Sequence, residues 1–550
     1  MHKTHSLVAF IPSSLPNRRL HARKIKQRSF SRLYLVAASS RSNATHKTNL
    51  VVSKKSTTSF AVPSSKHLTV HAHVKVAAAA LFVVAVSLKM KAIVDKRRRR
   101  KKKKVVVIGG GFAGMQCVFD LAKKCDLTLV DAKTYFEYTP GALSAMVGGG
   151  PLRKYGGSGK SGARIGRLHR EYKKICTKRG ARFVHCSDEG VKNICEDYVS
   201  VVSNDAPSGG VCEKLEYDYL VIATGSNYFR TIKPMGGSPG ADAQTGYARQ
   251  QAFQRDATRL VPESSYTEET KKPTLVIGGG VVGIELAADI ASAAGSNARK
   301  SSSGAVILVH DKNRLLNGLP KAASDYVENW FKQKKVRIEL GQRFERVKET
   351  CTYVGSSDSN VKLEANEAIL AVGSRPATKF LSFENQETLL AAAEAKKNGE
   401  KILEIPLSKN GYIERDPKTL QVVGFENIYC VGDCAMKPLE QNLASFAHWE
   451  AEYVSKRILN IKSYVMNPYK VPPKFMAISL GPWNGLFLWG DVLLLKGILA
   501  AVLKFFVEVW FSNFMPSLYT MVSMLPRFQR DDLEGDVIRS SVGSSALRPT

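Results

Sequence analysis

Two glycine clusters carry the most explicit chemistry in this chain. The first, Gly109-Gly110-Gly111-Phe112-Ala113-Gly114, follows directly on the β-branched run Val105–Ile108. Met115 to Lys124 reads as a helix, and Leu127–Asp131 reads as a second strand that ends on an acid. Strand, glycine turn, helix and acid in that order make a full βαβ unit rather than an isolated glycine pattern. Each glycine has a mechanical task. Gly109 makes the tight turn, Gly111 lets the backbone approach a pyrophosphate, and Gly114 lets helix and strand pack closely. The pyrophosphate sits on the helix N-terminus, where unpaired N–H groups and the helix dipole favour an anion. Asp131 can accept hydrogen bonds from ribose hydroxyls.

The pattern recurs further on. Thr274–Ile277 leads into Gly278-Gly279-Gly280-Val281-Val282-Gly283, a helix follows over Ile284–Ala294, and Val306–Asp311 is the second strand. Gly278, Gly280 and Gly283 take the same three tasks. Two such units on one chain mean two dinucleotides, and an electron path between them is the simple reason to bind both. This second strand ends His310-Asp311-Lys312, with Arg314 beyond. An acid there favours a free ribose 2′-hydroxyl and a base favours a 2′-phosphate; Asp311 tips the expectation to NADH.

In family order, these motifs resemble the flavoproteins of the glutathione-reductase fold. Tyr217–Gly225 is similar to the strand of that family ending in Ala223-Thr224-Gly225. Ile369–Pro376 is similar to its second copy, and Asn427–Asp433 to its late Gly432-Asp433 motif. The resemblance runs over roughly 103–460. It implies an α/β chain with two Rossmann-like dinucleotide-binding domains and a C-terminal membrane-facing region. FAD belongs in the first unit and NAD(P)H in the second, with Asp433 on the ribityl chain of FAD. It implies domains at 103–265 and 365–460 (FAD), 266–364 (NAD(P)H) and 461–550 (C-terminal). Glu285 starts the second helix. In similar enzymes a glutamate there lies near the nicotinamide or flavin; the competing reading is a helix-face carboxylate favoured by the dipole.

The electron acceptor is read from what surrounds these motifs. Disulfide reductases of this fold carry a redox Cys-x₄-Cys just after the first fingerprint. Here the nearest cysteines are Cys117 and Cys125, so a disulfide substrate is not expected. Cys430 and Cys434 bracket the Gly-Asp motif and read as small packing residues; sulfide:quinone oxidoreductases also need well-placed cysteines, for which Cys176 and Cys351 are the candidates, but the resemblance to those enzymes is poor. Thr134–Gly141 resembles the segment after the FAD-ribose acid in type II NADH:quinone oxidoreductases, whose part matching Tyr138–Gly141, with Pro140, would pass beside the isoalloxazine. It is nearer still to their apoptosis-inducing-factor-like, ferroptosis-suppressor-like relatives. Leu443–Ala451 resembles the helix that begins under the flavin. Type II enzymes carry two glutamines there; this chain has Ser445 and Trp449. His448 either contacts the acceptor or is an ordinary helix residue.

The flanks bear on where the chemistry takes place. Net charge is +33, and residues 1–104 hold most of it, with a single acid, Asp95. A uniformly basic surface would point to nucleic acid; a basic, Ser- and Ala-rich head points to an organelle transit peptide over 1–102. Val36-Ala37-Ala38-Ser39 tilts the expectation to chloroplast over mitochondrion. Residues 76–88 form an apolar run too short to span a bilayer of about 30 Å as a helix. The bases from Arg97 to Lys104 then suit anionic head groups or a solvated linker. Gly148–Gly162 reads as a surface loop and 387–401 as a solvated helical insert. Nine cysteines scattered from Cys117 to Cys434 fit a reduced compartment.

From Val492 to Met515 the chain is largely apolar and reads as one helix. Lys496, Lys504, Glu508 and Ser512 share one stripe, and Leu499, Phe505, Phe506 and Trp510 lie on the other faces. Such a helix fits a membrane interface; the competing reading is a core helix or a homodimer contact. Three functions follow: an NAD(P)H:quinone oxidoreductase, a reductase of a soluble acceptor such as monodehydroascorbate or an iron–sulfur protein, and a redox sensor.

Overall fold

Strand residues such as Val107, Leu127, Leu129 and Val221 are fully buried, because a parallel sheet covered on both faces has no solvent side. The computed structural model describes residues 102–147, 168–204, 212–228, 245–260, 272–294, 305–347, 352–356, 361–365, 367–381, 401–437 and 442–514. All belong to one compact unit within 94–550. The expected transit peptide, the run 76–88, most of the basic block, the expected loop 148–162, the bulk of the expected insert after 386, Cys351 and the tail lie outside the described residues.

The first unit consists of β1 (Lys104–Ile108), α1 (Phe112–Leu121) and β2 (Asp126–Asp131). β3 (Tyr135–Glu137), α2 (Ala142–Met146), β4 (His169–Glu171) and α3 (Tyr172–Arg179) come next. Then follow β5 (Arg182–Ile194), β6 (Tyr198–Ser203), β7 (Cys212–Glu216), β8 (Tyr219–Ile222), β9 (Ser226–Tyr228) and α4 (Gly246–Leu260). The second unit holds β10 (Thr274–Ile277), α5 (Val281–Ala293), β11 (Val306–His310), α6 (Lys321–Gln333) and β12 (Arg337–Leu340). It also holds a small sheet of β13 (Phe344–Arg346), β14 (Thr352–Gly355) and β15 (Lys362–Glu364), and then β16 (Glu367–Leu370). β17 (Ser374–Pro376) pairs back to β9.

The chain then returns to the first sheet with β18 (Ile428–Cys430) and the long helix α7 (Ala444–Ile458). The larger sheet runs β18-β8-β1-β2-β5-β6-β7 and the smaller β12-β11-β10-β16. In both, the strand before the glycine turn has parallel neighbours on either side. That is the topological switch point where open α/β sheets bind ligands, at the carboxyl ends of the strands.

The C-terminal region corrects one expectation. After α8 (Lys462–Met466) come β19 (Phe475–Ser479), β20 (Gly485–Trp489) and β21 (Val492–Lys496), an antiparallel sheet, and only then α9 (Ile498–Phe514). Val492–Lys496 is therefore strand, not helix. Gly497, at φ 75°, breaks the run in a conformation that other residues resist. The expected polar stripe loses Lys496 to the strand and keeps Lys504, Glu508 and Ser512 on α9. Among the described residues no helix is long and apolar enough to cross a membrane.

Candidate active site

The two glycine turns are built alike. Gly109 and Gly278 adopt φ 99° and 122°, and their N–H groups donate to Val130 O and Val309 O, both at 2.8 Å. A Cβ on Gly114 would meet Gly109 O at 1.8 Å, and one on Gly283 would meet Gly278 O at 1.8 Å. These four glycines therefore let strand, turn and helix close on one another. Gly111 and Gly280 differ: a Cβ on either would meet nothing within 4 Å. Each caps the N-terminus of its helix with open space in front, the room a pyrophosphate needs against free N–H groups.

Between the two turns lies a cavity of about 290 Å³. Its walls include Gly111–Ala113, Tyr138–Pro140, Ala223–Gly225, Gly432 and Asp433. Leu443–Ser445 and Ala447 come from the start of α7, Val281, Val282 and Glu285 from α5, Phe475–Ala477 from β19, and Lys504 and Val507 from α9. A second cavity, about 880 Å³, is lined by Gly280, Ala371, Gly373 and Ser374 among others. The two share Val281, Val282 and Asn442, so they meet at the N-terminus of α5.

Of the residues expected from sequence, the first cavity gathers Gly111, Phe112, Ala113, Pro140, Ala223, Thr224, Gly225, Glu285, Gly432 and Asp433. Gly109, Gly114, Gly278 and Gly283 lie behind it as packing. Asp131 accepts from Gly110 N at 2.6 Å and Lys133 N at 2.7 Å, which fixes its carboxylate at the end of β2. Asp311 stands at the end of β11, outside both linings. His448 is not brought to the cavity wall. It is 2% exposed within α7, and burial drops its pKa to about 3, so it is neutral.

Ser479 and Lys504, the partners of the expected Glu285, had not been foreseen as site residues. Glu285, 6% exposed, accepts from Ser479 N at 2.7 Å, from Ser479 Oγ at 3.0 Å and from Lys504 Nζ. Lys504 Nζ also donates to Ser479 Oγ at 2.9 Å. The C-terminal sheet and α9 thus hold a carboxylate of α5 at the edge of the cavity. A lysine inside an apolar run was the available signal, since a buried cation needs a partner.

Two further buried networks fix the walls. Arg415 holds Glu450 of α7 through two contacts of 2.9 Å, and Glu450 also accepts from Gly432 N at 2.7 Å. Burial would raise the Glu450 carboxyl, but Arg415 and Lys437 overcome it and bring it to about 2. This ties α7 to the Gly432-Asp433 turn, where Asp433 accepts from Ser226 Oγ at 3.1 Å. On the other side Glu137 lines the cavity and pairs with Arg249 at 2.9 Å and His169 at 3.2 Å. Cys430 and Cys434 are fully buried behind the turn with sulfurs 3.6 Å apart.

The residues fit a dinucleotide. Two helix N-termini face open ground, and the Ser445 hydroxyl is buried in the cavity wall without a hydrogen-bond partner among the described residues. That is the polar group a bound ligand would satisfy.

Comparison with known proteins agrees with this geometry. Ferroptosis suppressor protein 1 of Xenopus tropicalis is 26% identical over 380 residues, 68% of this chain and 85% of its own length. External NADH-ubiquinone oxidoreductase 2, mitochondrial, of Saccharomyces cerevisiae is 24% identical over 255 residues, 44% of this chain and 43% of its own length, so the match spans under half of that relative. The structure of NDH2 from Plasmodium falciparum in complex with NADH shares the fold, with TM-score 0.55 at 16% identity, over 78% of this chain and 99% of that one. The family model described as pyridine nucleotide-disulphide oxidoreductase matches residues 103–451. Paired glycine turns, adjoining cavities and this match together make the chain a member of the pyridine nucleotide-disulphide oxidoreductase family, an NAD(P)H oxidoreductase with FAD and NAD(P)H as its cofactors.

Proposed function

We propose that the chain is a non-proton-pumping NAD(P)H:quinone oxidoreductase that sits on one face of an organelle membrane. In this reading 103–265 and 365–460 form the FAD domain, 266–364 the NAD(P)H domain and 461–550 the membrane-facing region. Bound there, FAD would supply the redox chemistry that links two-electron oxidation of NAD(P)H to reduction of a quinone. The observation that carries the reading is the site's third wall. β19 and α9 bring Phe475, Met476 and Val507 to the first cavity, and α9 turns Leu499, Val502 and Phe506 outward, all at least 49% exposed. An apolar acceptor would thus meet apolar walls next to an apolar outer face, where a lipid surface fits.

The chain's own residues have separate tasks in this reading. Gly111, Phe112, Ala113 and Gly114 present the α1 N-terminus to the FAD pyrophosphate, and Asp131 faces its adenosine ribose. Thr224, Gly225, Gly432 and Asp433 hold the flavin end, with Pro140 beside the ring. Gly280 and the α5 N-terminus take the second nucleotide, with Asp311 at its ribose. Glu285, held by Lys504 and Ser479, orients groups where the two cavities meet. Among the described residues no cysteine lines either cavity, which favours a quinone over a disulfide as acceptor.

Two relatives are named as mitochondrial NADH- or NAD(P)H-ubiquinone oxidoreductases, which supports an organelle and a quinone. The plastid address rests on the leader sequence alone, and import of a leader–fluorophore fusion into isolated plastids or mitochondria tests it. The activity is tested anaerobically. FAD-loaded protein is bleached with NADH or NADPH and then mixed with a short-chain quinone. Rapid reoxidation by quinone is expected; bleached flavin that no quinone reoxidises would sink the reading.

A further inference from the structure

The second βαβ unit ends its second strand on a carboxylate, and the fold brings two cations to it. β11 pairs in parallel with β12, His310 opposite Leu340. Beyond that pair Gly341 N donates to Lys312 O at 3.0 Å and Gln342 N to His310 O at 3.4 Å. The two outgoing loops are thereby laid side by side, and Arg343 Nη2 arrives 3.4 Å from Asp311 Oδ2. Lys312 Nζ lies 3.6 Å from the same oxygen, and His310 Nδ1 lies 3.4 Å from Oδ1. Arg314, the other nearby base, is spent on the Leu319 and Asn317 carbonyls at 3.0 and 2.8 Å.

A lone acid at this point selects the free 2′-hydroxyl of NADH and repels a 2′-phosphate. Here one carboxylate faces two cations, so the locus is net positive. The Arg343 side chain is 77% exposed and that of Asp311 31%, so the pairing is weak and readily exchanged. Both cations can therefore leave Asp311 for a phosphate, and a guanidinium suits phosphate oxygens in geometry as well as charge.

We infer that this chain takes NADPH as well as NADH, with Arg343 and Lys312 receiving the 2′-phosphate and Asp311 the free 2′-hydroxyl, because strand register sets Arg343 against Asp311. The inference rests on the reading of the second unit as the NAD(P)H domain. It revises the NADH preference that Asp311 alone had pointed to.

The test is anaerobic flavin bleaching of the FAD-loaded full chain by each nucleotide, with no acceptor present. The second-order rate constants for NADPH and NADH are expected within about tenfold of each other. Arg343→Ala lowers the NADPH/NADH ratio on the order of tenfold, Arg343→Lys retains part of it, and Asp311→Asn raises it. Added salt depresses the NADPH rate more than the NADH rate. Bleaching by NADH alone, or an unchanged ratio in Arg343→Ala, would overturn the inference. Bleaching by neither nucleotide would instead remove the domain assignment beneath it.

Discussion

Lys504 and Glu285 lie far apart in sequence, on α9 and α5, yet the ion pair sits at the cavity. Losing a charge-assisted hydrogen bond at a largely buried site removes on the order of 1.5–3 kcal/mol. Lys504→Met is therefore expected to slow flavin reduction by roughly tenfold or more if the pair orients the site. Lys504→Arg should recover most of that rate, and stopped-flow bleaching of the three proteins decides it. A variant that bleaches at the wild-type rate would leave the pair a purely structural latch. His448 carries a separate prediction. Its pKa is about 3 in the fold, below the ordinary value of 6.5, because burial penalises the charged ring and Lys456 adds repulsion. Below about pH 6.5 the unfolded chain takes up a proton that the folded one refuses, so stability is present above that pH. It is lost as pH falls towards about 3, by at most about 1.4 kcal/mol per unit. Denaturant midpoints of wild type and His448→Gln, followed from pH 7 to 4, should converge as the pH drops.

Helix α1 and its glycine turn separate folding from binding. Gly114 and Gly111 are neighbours in the same motif but face opposite demands. Alanine at Gly114 would place Cβ 1.8 Å from Gly109 O, and the backbone cannot yield that much without opening the βαβ unit. Gly114→Ala is expected to be insoluble or to lack cooperative unfolding. Alanine at Gly111 points into open space and needs no left-handed backbone, so Gly111→Ala should melt near wild type without flavin. It should nevertheless bind FAD at least tenfold more weakly, because its methyl stands where the pyrophosphate approaches. Thermal melts with flavin-fluorescence titration distinguish the two variants. At α7, Glu450→Gln leaves Arg415 and Lys437 buried without their carboxylate, a loss of about 3–5 kcal/mol. A drop in melting temperature with early release of FAD is the expected readout.

Across the whole molecule, α9 is amphipathic in an unusual sense. Its inner side carries Ala500, Lys504 and Val507, and its outer side carries Ile498, Leu499, Val502, Phe505 and Phe506. Val492 and Leu494 of β21 are exposed apolar residues next to it in the chain. A lipid surface would cover this face, and a partner protein would not require a bilayer. Leu499→Lys combined with Phe506→Lys is expected to abolish co-sedimentation with vesicles of zwitterionic and anionic lipid. Turnover with a water-soluble short-chain quinone should change little in that variant, while turnover with a long-chain quinone in the vesicles should collapse. Unchanged sedimentation of the variant would remove the membrane-facing reading of α9.

The glycine fingerprints, the Ala-Thr-Gly and Gly-Asp motifs and the strands they terminate were legible in the sequence because each is local. A tight turn, a close approach and a helix N-terminus are set by a few adjacent residues, and their order along the chain carried the family resemblance. The sequence also located Glu285 and Asp311 in their βαβ unit. It could not say what either carboxylate faces. Lys504 reaches Glu285, and Arg343 reaches Asp311, only because separate elements pack or pair in register, and such contacts leave no periodic trace. His448 shows the converse: its place on the helix was evident, but the packing of α7 decided that it faces core rather than cavity. The C-terminal run read as one helix because apolar content outweighed Gly497. Only cross-strand pairing with β20 made its first five residues a strand, since a short apolar segment takes its conformation from the partner that satisfies its backbone.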